Sequence, residues 1–177
     1  AILRMRNMRL PEQEKRLGVI CKLRNFHRAA IDMTGIGLGL CEYAQQSFGS
    51  SRIRGINFAS SVPVRHAVPE GELHPNVRVT ELLATELLRV YEDRRIQHPR
   101  EERLRADLRK PEKVTSPGGR VSIAATRDSS GHADHFWSLA LAIEAGGGSK
   151  VSNRCGMVTF KNRPKWWWES RARFLGF

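Results

Sequence analysis

The stretch Ala29-Ala30-Ile31-Asp32-Met33-Thr34-Gly35-Ile36-Gly37 runs apolar residues into a carboxylate and then into a glycine-rich turn. Such a pattern reads as a strand that ends on an acid at the edge of a sheet, where a charge is costly unless it meets a cation or hydrogen-bond donors. Upstream, Pro11 at a first helical turn, Glu12 and Glu14 beside the positive helix end, and Leu17, Ile20 and Leu23 at helical spacing predict a helix to about Phe26. Ile2 to Met8 reads as a strand before it. Downstream, Thr34 is a suitable N-cap for a helix over Ile36 to Phe48, and Arg52 to Phe58 alternates apolar and polar residues as a strand does. The expectation is a βαβ unit, and an α/β fold.

Farther along, Ser60 to Pro75 carries three prolines and a glycine without a period and is expected to be a loop. Val79, Leu83, Leu87, Val90 and Tyr91 predict a long helix from Asn76 to about Ile96, and Arg100 to Arg109 a second, basic one. Lys113 to Ala125 reads as a hairpin across Pro117-Gly118-Gly119. Gly131 to Ala145 is an amphipathic helix whose first turn holds Asp134. Gly146-Gly147-Gly148-Ser149 is a break. Residues 1–146 are therefore expected to form one domain and 147–177 a basic, tryptophan-rich tail.

The 177 residues are 40% hydrophobic, enough for one core, and carry 30 Lys and Arg against 18 Asp and Glu, a net charge of +12 with a pI near 10.6. That balance favours a polyanionic partner, with nucleic acid first. The cations cluster: eight against two acids over Ala1 to Arg28, seven against three over Arg94 to Lys110, and seven against one over Lys150 to Arg173. A basic surface that serves only solubility is the plain alternative. The tail alternates cations with Phe160, Trp166, Trp167, Trp168 and Phe174, a mixture that could stack on bases or pack back on the domain. No apolar run reaches the ~18 residues of a membrane span, so no membrane is expected. Cys21, Cys41 and Cys155 form no CxxC pair.

Asp32 could serve only its own turn, and Asp134 only the helix dipole. Two acids at element ends in a basic chain, with Asp128 and His132 nearby, could instead converge on a hard divalent cation. Other chemistries fit less well. Gly35-Ile36-Gly37-Leu38-Gly39-Leu40 lacks the third glycine of a dinucleotide fingerprint and the acid that should end the next strand. Ser130-x-His132-x-Asp134-His135 lacks the first histidine of a zinc hydrolase motif. No Ser-His-Asp or Cys-His spacing is readable.

Six segments together resemble a family: Ile31-Asp32-Met33-Thr34-Gly35-Ile36-Gly37, Phe48-Gly49, Arg54-Gly55-Ile56-Asn57-Phe58, Arg95-Ile96-x-x-Pro99, the basic Leu104 to Leu108, and Gly131-His132-Ala133-Asp134-His135-Phe136-Trp137-Ser138-Leu139-Ala140-Leu141-Ala142. In this order they resemble the C-terminal nuclease domain of the large terminase subunit of tailed bacteriophages, of the Mu-like prophage type, over about residues 2 to 145. The resemblance implies a ribonuclease H-like mixed sheet flanked by helices, and a nuclease that uses Mg²⁺ or Mn²⁺ to cut concatemeric DNA during capsid filling. It places Asp32 and Asp134 as catalytic metal ligands, with Asp128 and His132 in lesser roles. It also implies a further aspartate on a first strand ahead of Ile2 and an ATPase motor upstream. Neither is among these residues, and no GxxxxGK[ST] loop occurs, so the chain is expected to lack the fold's first strands. Double-stranded DNA is expected to meet Arg94, Arg95, Arg100, Arg103, Arg105, Arg109 and Lys110, and in the tail Lys161, Arg163 and Lys165. The small terminase subunit and the portal are the implied protein partners, in the bacterial host cytoplasm.

Overall fold

The computed structural model describes residues 2–63, 76–117, 121–125 and 132–147. Its elements run α1 (Leu10–Cys21), β1 (Ala29–Asp32), α2 (Gly37–Phe48), β2 (Ile53–Ile56), β3 (Ser61–Pro63), β4 (Asn76–Arg78), α3 (Val79–Glu92), α4 (Glu102–Leu108), β5 (Pro111–Thr115), β6 (Val121–Ala125) and α5 (Asp134–Ala145). The order is that of an α/β chain. Its βαβ unit is β1–α2–β2, with β1 and β2 parallel and Asp32 opposite Ile56.

Side chains of a strand point alternately to its two faces, and β1 and β2 divide two cores in this way. Ala29, Ile31 and Ile53 belong to a core with Cys21, Leu17, Ala44 and Phe48 of α1 and α2. Ala30 and Ile56 belong to the other, with Val79, Leu83, Ala84 and Leu87 of α3 and Phe136, Ala140 and Leu141 of α5. Each large side chain fully buried there contributes roughly 1.5–3 kcal/mol. By parity Asp32 falls on the α5 side of the strand pair. Arg52 closes the end of α1, donating to the carbonyls of Cys21 and Phe26 at 3.2 and 3.1 Å while its guanidinium lies over the Phe26 ring.

Several expectations need correction. Among the described residues the strands form three separate pairs, β1–β2, β3–β4 and β5–β6, rather than one mixed sheet. The strands are only three to five residues long, and β5 exposes Glu112, Lys113, Val114 and Thr115, a surface suited to an edge. Ile2 to Met8 joins no strand ladder and is fixed instead through Arg4. Thr34 is not the N-cap of α2; Ile36 occupies that position. Ser60 to Pro75 contains β3, paired with Asn76–Arg78, which is a strand rather than the start of α3.

The helix expected to reach Ile96 stops at Glu92 because Arg94 turns left-handed at φ 54°. The Arg94 and Arg95 N–H groups then donate back to the carbonyls of Tyr91 and Val90 at 2.9 and 3.0 Å, the Schellman pattern that satisfies orphan helix carbonyls. Glycine normally fills that position, and arginine gives no stop signal in a sequence. A left-handed non-glycine residue costs about 1–2 kcal/mol, and glycine adds about 0.4–1 kcal/mol of unfolded-chain entropy. Arg94→Gly is therefore expected to stabilise the domain by about 0.5–1 kcal/mol in urea unfolding.

Glu144, near the end of α5, is 4% exposed and ion-paired with Arg54 of β2. Burial pushes its carboxyl above the ordinary 4.5, Arg54 opposes the shift, and Glu86 adds to it. A raised acid binds its proton better in the native state, so stability falls as pH rises from 4.5 through the native value. Glu144→Gln removes that titration. The variant is expected to show a flatter Tm between mildly acid and neutral pH, and a higher Tm at neutral pH, in calorimetric scans.

Candidate active site

Asp32 ends β1, and the turn after it is held by short-range bonds. Its Oδ1 accepts the Thr34 N–H at 2.9 Å, and the Thr34 Oγ1 accepts the Phe58 N–H at 3.0 Å. Gly35 takes φ +59°, and a Cβ on Gly37 would overlap the carbonyl oxygen of Asp32. Both glycines are thus set by backbone geometry. The Phe58 ring lies 5.1 Å from that of Trp137, which meets Phe136 edge-on at 4.9 Å. Turn, loop and α5 are in this way one packed unit.

The result is an open cleft of about 410 Å³ lined by Asp32, Phe58, His132, Asp134, Trp137, Ser138 and Leu141. Residues 32 and 134 meet at the same cleft because β1 and α5 pack together. No described residue forms an ion pair with either carboxylate. Asp134 is exposed in the first turn of α5, and His132 is exposed just before it.

A second group of polar residues lies behind that turn. Asp107 of α4, 5% exposed, accepts from the His135 N–H at 3.3 Å and from its ring Nδ1, and its other oxygen is 2.8 Å from Lys110 Nζ. Arg4 Nε donates to His135 Nε2 at 3.0 Å, and the Arg4 guanidinium also pairs with Glu101. Because Nε2 accepts, the His135 proton sits on Nδ1, facing Asp107. Burial pushes the Asp107 carboxyl up, but the Lys110 and His135 hydrogen bonds outweigh it and hold it below the ordinary 3.8. Sequence reasoning missed this residue. The signal available was its spacing: Asp107 stands three positions after Leu104, on the buried side of α4.

Hard divalent cations take a few carboxylates and complete their shells with water, so two free acids on one cleft suit them as partial ligands. Among the described residues no three or more His, Cys, Asp or Glu side chains form a ready metal cage. Asp128 lies outside the described residues, as do Lys161, Arg163 and Lys165. Arg94, Arg95, Arg100, Arg103, Arg105 and Arg109 are exposed. Within this set Arg95 pairs with Asp93, and Lys110 is drawn inward to Asp107. Cys21 and Cys41 are buried free thiols raised by that burial. No described helix is long and apolar enough to cross a membrane.

Comparison with known proteins adds one match. No curated protein and no solved structure matches the chain. A family described as the terminase RNaseH-like domain matches residues 1–145, which take in β1, the turn after Asp32 and all of α5. The chain belongs to the terminase RNaseH-like domain family.

Proposed function

We propose that this domain is the metal-dependent DNA endonuclease of a phage or prophage terminase large subunit, cutting concatemeric DNA during genome packaging in the bacterial host cytoplasm. The observation that carries the reading is the meeting of Asp32 and Asp134, about a hundred residues apart, on one cleft of a terminase RNaseH-like domain. Mg²⁺ or Mn²⁺ is the cofactor the carboxylate pair suits, with Asp32 and Asp134 as ligands and His132 and Asp128 in outer roles. Such a cation, once bound, would neutralise the scissile phosphate and activate a water. The residues of the chain do the rest. The bond from Thr34 keeps one Asp32 oxygen oriented, leaving the other free to face the cleft. Asp134 brings a second charge to the same cleft, and the Phe58–Trp137 wall gives it an apolar flank.

Double-stranded DNA would lie across the exposed arginines Arg94, Arg100, Arg103, Arg105 and Arg109, with Arg95 beside them and the tail's Lys161, Arg163 and Lys165 binding further phosphates. Lys110, tied to Asp107, would act on DNA less directly. In the whole terminase the partners would be an ATPase motor, the small subunit and the portal. The alternative is a catalytically inactive, basic DNA-binding module of the same fold, which the net charge of +12 and the exposed arginines would serve equally well.

Binding without sequence preference is expected to weaken steeply as salt rises, because neutralised phosphates release their counterions. Replacing Arg103, Arg105 and Arg109 together should lower affinity evenly across sequences and reduce the salt slope by about 1 for each phosphate that is no longer neutralised, measured by fluorescence anisotropy. In the full-length terminase, Asp32→Asn or Asp134→Asn is expected to abolish Mg²⁺- or Mn²⁺-dependent plasmid cleavage while DNA binding persists. A wild type that binds DNA but stays inert with both metals would leave only the binding module.

A further inference from the structure

Helix α5 begins without a cap of its own. Its N-cap is Ala133, fully buried and left-handed at φ 60°, ψ 40°, with no side-chain oxygen to satisfy the first N–H groups. One of these groups, the His135 N–H, is satisfied from another helix by Asp107. The peptide unit between Asp134 and His135 consists of the Asp134 carbonyl and this His135 N–H. Ser138 Oγ donates to the carbonyl at 2.9 Å, and Asp107 accepts from the N–H at 3.3 Å, so the unit is pinned on both sides. The same Asp107 oxygen also holds the His135 ring at Nδ1, with Arg4 on Nε2, which fixes that side chain against the body of the domain. Helix packing alone would require none of this, and burying a carboxylate is costly unless its oxygens are occupied.

We propose that Asp107 is a positioning residue for Asp134: by holding the Asp134–His135 peptide and the His135 ring, it sets where the Asp134 carboxylate stands in the cleft. The inference rests on the reading of Asp134 as a metal ligand. Its chemistry is that of an outer partner which orients a ligand it does not share, and such partners typically change metal affinity by about 10–100-fold. Ser138, on the far side of the same peptide, lines the cleft itself. Asp107 is therefore the member of the pair that acts without facing the cation.

The test is a Mn²⁺ titration of the 177-residue chain followed by amide NMR, in which a bound paramagnetic ion broadens the signals of Thr34, Phe58 and Ser138 first. Asp134→Asn should remove that broadening. Asp107→Ala should keep a folded spectrum and raise the apparent Kd for Mn²⁺ about tenfold. Asp107→Asn, whose amide oxygen can still accept from both His135 N–H groups, should recover most of the affinity. A purely structural residue would lower Tm in both Asp107 variants and leave the Kd of the folded protein unchanged, which overturns the proposal. Should Asp107→Ala not fold, Asp107→Leu decides. It fills the space of the side chain and accepts from neither His135 N–H group, and a wild-type Kd there overturns the proposal too. If Asp134→Asn leaves the broadening intact, or the wild type shows none, the metal-ligand reading fails. If Asp134→Asn removes it while Asp107→Ala binds as the wild type does, only the positioning role falls.

Discussion

The burial of one side of α5 against the β1–β2 pair and α3 is the interaction on which the rest of the structure depends. Phe136, Ala140 and Leu141 enter the same core as Ile56, Leu83 and Leu87, and with them the start of the helix is carried to the end of β1. The cleft is a by-product of that packing. It has Asp32 on one side and Asp134 on the other because Ala30, just before the first acid, and Phe136, just after the second, pack in one shared interior. Nothing local to either aspartate would bring them together across so long a stretch of chain.

The buried acids and the acids of the cleft are of two physical kinds. Asp107 and Glu144 are buried and held by cations, Lys110 and Arg54 respectively, yet their carboxyls are displaced in opposite directions. Hydrogen bonds from Lys110 and His135 win over burial at Asp107, whereas at Glu144 burial wins over the single pairing with Arg54, and the neighbouring Glu86 adds to it. Asp32 and Asp134 stand apart from both, on an open cleft with no described cation beside them. In a chain of net charge +12, carboxylates left without a cation are those with charge to offer a ligand.

Much of the local structure was legible because it is written in periodicity. The apolar spacing of α1, α2, α3 and α5 and the alternation in β2 are carried by neighbouring residues, and those elements exist where expected, although α1 stops at Cys21 rather than Phe26 and α3 at Glu92. What was not legible depended on partners distant in sequence. The end of α3 rests on a left-handed arginine in a role usually filled by glycine. Thr34 looked like a helix cap from its neighbours, but its hydroxyl serves Phe58 instead. Strand pairing is non-local, so short runs such as Ser61–Pro63 and Asn76–Arg78 gave no sign of meeting, and Ile2 to Met8 read as a strand although no described partner pairs with it. At the cleft, Asp32 and Asp134 were visible as acids at element ends. Asp107 was not, since in sequence it is one acid within a run of arginines and leucines.

The two glycines after Asp32 differ in a way that bears on how this turn can drift over evolutionary time. Gly35 is left-handed but open around its Cβ position, so a residue that tolerates that conformation, asparagine or aspartate, can enter at modest cost. Gly37 has an ordinary backbone and no room, because any side chain would strike the carbonyl of Asp32 itself. Across descendants of this sequence, position 35 is free to sample polar residues while position 37 stays fixed. An inherited change at 37 would have to be accompanied by movement of the very strand end that carries the acid.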